Sequence, residues 1–221
     1  MKKTLRILMM ALISFFLVTG AGWAITFDFS SVSLAKISFV GDTDTFSFPD
    51  GTGSRDFRIV NVYNGSGDAL DFLGNITGSF LIGGITTNGT MQTAPVTGTD
   101  SLSIYDGSNY LTAALQWISI KTDETIGGLN GAGTINLTSI SYSGSFLDLQ
   151  HFRDDGLQQG IAVVTFQFNP AKSLTQLTAD GTTASASYSG TMTTVPEPIT
   201  LLLLGIGLLG LAGVTRRMIK K

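Results

Sequence analysis

Apolar and polar side chains alternate with a period of two through much of the middle of this chain. Ile25, Phe27 and Phe29 are separated by Thr26 and Asp28. Val164, Phe166 and Phe168 are separated by Thr165 and Gln167, and Ala184, Ala186 and Tyr188 by Ser185 and Ser187. Alternation of this kind predicts strands with one buried and one wet face. Within residues 57–63, 115–120 and 135–142 the apolar phase slips by one residue partway along. A bulge or a change of sheet produces such a slip.

Turn chemistry punctuates the pattern at Asp50-Gly51, Asn64-Gly65, Asn88-Gly89, Asp106-Gly107, Asn130-Gly131, Asp155-Gly156 and Asp180-Gly181. These dipeptides tolerate the positive φ that tight hairpins need. No fixed internal period is visible, so a solenoid or propeller is excluded. Short helices are expected only around 146–152 and 172–177. The expectation is an all-β domain over residues 25–194, an antiparallel β-sandwich of jelly-roll type with about ten short strands.

The two ends follow other rules. Lys2, Lys3 and Arg6 precede an apolar run at 7–18, and a small-residue stretch, Thr19-Gly20-Ala21-Gly22-Trp23-Ala24, follows it. These are the three zones of a signal peptide, residues 1–24, with Gly22 and Ala24 fitting the pockets of a signal peptidase that cuts after Ala24. Twelve helical residues reach only about 18 Å, too short for a membrane anchor. At the other end, 199–214 is a run of sixteen residues in which only Thr200 is polar, followed by a basic tail, 215–221, with Arg216, Arg217, Lys220 and Lys221. It predicts one short transmembrane helix, about 24 Å long, with the basic cluster on the cytoplasmic side and the central domain outside. Inside this run Gly205, Gly207 and Gly210 match a GxGxxG pattern, but neither a preceding strand nor a following acidic residue supports a dinucleotide site.

Directly before the run stands Val195-Pro196-Glu197-Pro198. Two prolines around one acid deny the backbone both helix and ladder bonding, so the tetrapeptide is extended and exposed. This motif, the short Leu/Gly-rich span and the terminal Arg216-Arg217 pair together resemble the C-terminal sorting signal of the PEP-CTERM family. The resemblance covers 195–221 and is silent on 25–194. It implies an exported protein of a Gram-negative bacterium, held in the inner membrane as a precursor. Exosortase then processes it at Pro196, Glu197 and Pro198, and it goes on to the cell surface or extracellular matrix. The family is associated with exopolysaccharide and biofilm formation, which makes exopolysaccharide a candidate partner.

Composition sharpens the central domain. The whole chain carries 13 Lys+Arg against 16 Asp+Glu and has no Cys. Residues 25–195 hold six of those basic groups and fifteen of the acids, a net charge of -9. An acidic, cysteine-free domain is not a nucleic-acid binder, a disulfide scaffold or a thiolate metal site. Few Lys and Glu beside abundant Thr, Ser, Gly and Asn also argue against helices.

Candidate chemistry is sparse. His151 is the sole histidine, with Asp148, Asp154 and Asp155 nearby; no GxSxG elbow is present, and a zinc site here would need three carboxylates. His151 is read as an exposed loop residue. Asp42, Asp44, Asp50 and Asp56 lie close in sequence and suit calcium, which takes hard oxygen ligands, although their spacing matches no twelve-residue calcium loop. Placement of aspartates at turns and strand ends is the preferred reading, with calcium as the alternative. No other cofactor is expected. Tyr105, Asp106, Asn109 and Tyr110 form a candidate sugar platform of rings and polar groups. The reading is a non-enzymatic envelope or matrix protein. The alternatives are a carbohydrate-binding module and a glycan-active enzyme, for which paired carboxylates in a cleft are the expected machinery.

Overall fold

The computed structural model describes residues 24–49, 55–124, 130–155 and 157–195. Ala24–Val195 forms one compact unit. Its strands are β1 (Thr26–Ser31), β2 (Ile37–Val40), β3 (Thr45–Ser47), β4 (Phe57–Tyr63), β5 (Leu73–Ile76), β6 (Ser79–Ile82) and β7 (Thr86–Asn88). They continue with β8 (Met91–Thr97), β9 (Thr99–Tyr105), β10 (Tyr110–Asp123) and β11 (Gly131–Ser141). Helix α1 (Leu147–Asp154), β12 (Gly160–Phe166), helix α2 (Leu174–Leu177), β13 (Thr183–Ala186) and β14 (Tyr188–Thr194) complete it. Both helices fall where the sequence places them.

All pairings are antiparallel. The all-β reading therefore stands, but two separate sheets of a sandwich are not what the ladders build. The path β11-β12-β14-β1-β4-β5-β9-β10 returns to β11 and closes an eight-strand barrel. A second arm, β8-β6-β3-β2-β13, branches from β10, and β7 pairs with β8. The branch is possible because β10 is fourteen residues long. Up to Gln116 it pairs with β9, and from Ser119 it pairs with β8 on that same side.

The three phase slips mark the irregular points of this path. Opposite β1, Val60 is the extra residue of β4, between Ile59 and Asn61. Ile118 is extra in β10, where that strand changes partner. Ser139 and Ile140 sit at the third shift, in β11, and Ser139 takes a positive φ of 53°. Bulges bend a strand and increase its twist, which closure of a small barrel requires.

Eight strands leave an interior only wide enough for side chains to fill. Phenylalanine fills it here, and glycine makes the space. Phe57 lies directly opposite Gly74, Phe29 opposite Gly190, and Phe166 opposite Gly131. In each pair a Cβ on the glycine would run into the ring, and a Cβ on Gly133 would run into Trp117. Phe29, Phe57 and Phe166 are at most 1% exposed. The second arm joins the same core: Phe39 of β2 packs on Phe166, and Phe46 of β3 and Phe80 of β6 pack on Trp117.

Helix α1 packs against the barrel through Leu149 and Phe152, and Phe152 stacks on Phe27 at 4.8 Å. Two carboxylates clasp this helix to the loop after β4. Asp68 accepts from the backbone N–H groups of Leu147 and Asp148 at the helix start, at 2.8 and 3.1 Å. In return Asp148, 1% exposed, accepts from Ser66 N, Ser66 Oγ and Ala69 N at 2.5, 2.9 and 3.0 Å. Burial pushes the Asp148 carboxyl upward, but the Ala69 and Ser66 donors outweigh it and hold the group below its ordinary value.

Three outcomes follow from this packing. Gly131→Ala destabilises the fold by about 1–3 kcal/mol through overpacking, read by urea unfolding. At Gly84, where nothing lies within 4 Å of a built Cβ, the same change leaves stability unchanged or slightly raised through the unfolded-chain entropy. Because the folded pKa of Asp148 is depressed, its contribution is complete above the unfolded value of about 3.9 and is lost as pH falls through the folded value. Asp148→Asn therefore costs about 1–3 kcal/mol at pH 7 and flattens the acid limb of a stability–pH curve.

Candidate functional site

The ends of the compact unit meet at one ladder. Thr26 lies opposite Thr193, with their hydroxyl oxygens 3.0 Å apart. Thr194 N donates to Ile25 O at 3.1 Å, and Ile25 N donates to Thr194 Oγ1 at 3.2 Å. Asn64 Nδ2 reaches Ala24 O at 2.9 Å, and Val195 N donates to Gln159 O at 3.4 Å. Ile25 and Thr194 are buried, whereas Val195 is exposed. The residue proposed for signal cleavage, Ala24, and the first residue of the proposed sorting motif, Val195, thus leave the fold side by side. Central placement of β14 between β1 and β12 holds the second exit in place on both flanks. Pro196, Glu197, Pro198, Arg216, Arg217, Lys220 and Lys221 lie outside the described residues, as do residues 1–23 and the expected span 199–214. Among the described residues no helix is long and apolar enough to cross a membrane.

The aspartates considered for calcium are put to separate uses. Asp42 lies in a 3-10 turn, Gly41–Thr43, and accepts from Gly181 N at 2.5 Å. Asp44 ends that turn with a φ of 51°. Asp56 is fully buried before β4 and accepts from Ile76 N at 2.9 Å. Asp50 lies outside the described residues. Among the described residues no group of three or more His, Asp or Glu side chains is placed to hold a metal ion.

His151 sits on α1 rather than in a loop, where it is exposed and lies 3.3 Å from Asp155. The other two neighbouring carboxylates, Asp148 and Asp154, do not join Asp155 there. Asp148 turns into the clasp, and Asp154 pairs with Arg153.

Tyr105 and Tyr110 do come together. They face each other across the β9–β10 hairpin with ring centroids 4.8 Å apart. Arg55 lies over both, 5.1 and 5.8 Å from the centroids. A guanidinium over the rings takes the face that a sugar would stack on. Asp106 belongs to the interior rather than to a platform. It is 9% exposed and accepts from Tyr142 Oη, Ser108 N and Asn109 N at 2.6, 2.7 and 2.6 Å. Burial acts to raise its pKa, but these donors, Asn109 first, hold it below the usual carboxylate range. Tyr142 is pushed up to about 12 by its own burial and by donating its hydroxyl proton to the Asp106 carboxylate. The hydroxyl of Tyr142 also receives Phe146 N at 3.3 Å, which ties the hairpin to the start of α1. Tyr142 and Arg55 are remote in sequence from the hairpin, and no local pattern announces either.

Comparison with known proteins bears on the C-terminal exit alone. Residues 194–217 match the family model described as the PEP-CTERM protein-sorting motif. No curated protein and no solved structure matches the chain. The match opens at the last residue of β14, includes the Val-Pro-Glu-Pro tetrapeptide and runs through Arg216 and Arg217. Where the barrel ladder stops, therefore, the chain carries a PEP-CTERM sorting motif, the mark of an exported protein recognised by exosortase.

Proposed function

We propose that this chain is a secreted precursor whose mature part is a non-catalytic β-domain of the cell surface or extracellular matrix. A signal peptide, residues 1–24, starts its export. The apolar run 199–214 then holds it in the inner membrane until exosortase acts at Pro196-Glu197-Pro198. The observation that carries this reading is the position of the motif, which begins where β14 ends. Thr194, the last ladder residue, is buried and bonded to Ile25, so the segment offered for processing starts only after the fold has closed. Cutting there would remove the apolar tail and leave the barrel ladders whole.

A structural or surface role is supported by how the domain uses its polar groups. Asp56, Asp106 and Asp148 are buried and spent on backbone N–H groups, which is structural work. Exposed His151 is paired with Asp155, one helical turn along α1, a contact of the kind that fastens a helix end.

Replacing Pro196, Glu197 and Pro198 together by alanine leaves full-length chain in the inner-membrane fraction. The wild type yields a shorter, released species, detected by immunoblot of membrane, periplasmic and medium fractions. Release of a normally shortened domain from the triple variant would overturn the sorting reading.

A further inference from the structure

One residue, Ser187, separates β13, which belongs to the second arm, from β14, which belongs to the barrel. The chain changes sheet there, and the outer surface beside that corner is concave. The hollow has a volume of about 490 Å³. Its lining includes hydroxyls of Ser30, Thr165, Ser187 and Ser189 and side-chain amides of Gln167 and Asn169. A second hollow, about 410 Å³, shares Ser30, Thr165 and Ser189 with the first and continues it past Val60, Val163 and Thr191. Val60 is the bulge residue of β4, and the bulge turns its apolar side chain outward, where it is 50% exposed. The two hollows make one groove along β14, about 14 Å from Ser187 to Thr191.

The chemistry of the groove selects its occupant. Among the described residues no Lys or Arg lines it, and Asp28 is its one carboxylate. Anionic polymers find no cation to pair with. A peptide strand finds no free edge, because β14 is bonded on both sides, to β12 and β1. Thr165 Oγ1 donates to Ser189 O and lies 3.1 Å from Ser189 Oγ. The polar end therefore presents chiefly the Ser30 and Ser187 hydroxyls and the Asn169 amide, groups that both donate and accept, and the other end offers the apolar surfaces of Val60 and Val163. Hydroxyl-bearing edges beside C–H faces are what a sugar chain presents. We propose that this groove, rather than the Arg55-covered tyrosine pair, binds a neutral polysaccharide strand laid along β14. The site is built wholly from residues 28–191 and does not depend on the sorting reading.

Affinity electrophoresis tests it, using the full chain in non-ionic detergent and native gels cast with dextran, hydroxyethylcellulose, galactomannan or alginate. The expected result is retardation by at least one neutral polymer and none by alginate. Ser189→Trp and Ser30→Trp, which fill the shared part of the groove, abolish that retardation, and Tyr110→Ala retains it. Unchanged far-UV circular dichroism and thermal midpoint qualify each variant. Thr191→Arg, on the outer wall, replaces any variant that fails that check. Unretarded migration in all three neutral gels overturns the proposal, as does retardation by alginate alone. Retardation that survives the groove variants but disappears with Tyr110→Ala also overturns it.

Discussion

A closed barrel of eight strands has too little interior for its own aromatic residues unless some positions on the wall carry no side chain. Phe57 over Gly74, Phe29 over Gly190 and Phe166 over Gly131 solve this in three strand pairs of the barrel, β4–β5, β1–β14 and β11–β12. Trp117 over Gly133 does the same between β10 and β11. A ring laid over a facing glycine covers bare backbone and fixes the register, because a one-residue slip would turn the ring outward. The rest of the domain rests on these pairs. They set where β1 and β14 lie side by side, and hence where both chain ends leave.

With the large side chains inside, the outside of the wall is free to be small and polar. Thr26 and Thr193 approach each other across β1 and β14, and Thr165 and Ser189 do so across β12 and β14. Charge is withdrawn from this surface as well, because several aspartates are turned inward onto backbone N–H groups. Asp148 and Asp68 clasp α1, and Asp106 binds the β9–β10 hairpin to Tyr142. The large acidic excess of the domain therefore includes carboxylates that work as internal fasteners, a use that composition alone does not distinguish from calcium binding or turn placement.

The elements were legible in the sequence because they are local. Alternation located β1, β4, β12 and parts of β10 and β11. The structure has fourteen strands rather than about ten, and it divides the alternating stretch at Ala184, Ala186 and Tyr188 between β13 and β14. Each of the three phase slips became a bulge or register shift, at Val60, Ile118 and Ser139. Closure was not legible, because it depends on which strands pair. The slip near Ile118 announced that β10 bends, yet nothing local says that it leaves β9 for β8 while keeping β11 throughout. Turn chemistry also yielded to tertiary contact in one place. Asn130-Gly131 reads as a hairpin turn, but Asn130 is buried and its Oδ1 accepts Phe168 N at 3.0 Å, while Gly131 opens β11 beneath the Phe166 ring. The sorting signal was readable from the chain because its chemistry is linear: two prolines, an apolar run and a basic end. The groove along β14 was not, because its residues come from β1, β4, β12 and β14 and from the chain segments after β12 and before β14, and share no motif.

The most direct test of the ring-over-glycine constraint is a double-mutant cycle between Phe166→Leu and Gly131→Ala, read by urea unfolding. If the ring occupies the space of the missing Cβ, the smaller side chain relieves the clash. Gly131→Ala then costs less in the Phe166→Leu background, with a coupling energy of about 0.5–3 kcal/mol. Strict additivity of the two changes would contradict it, and the register of the barrel would need another cause.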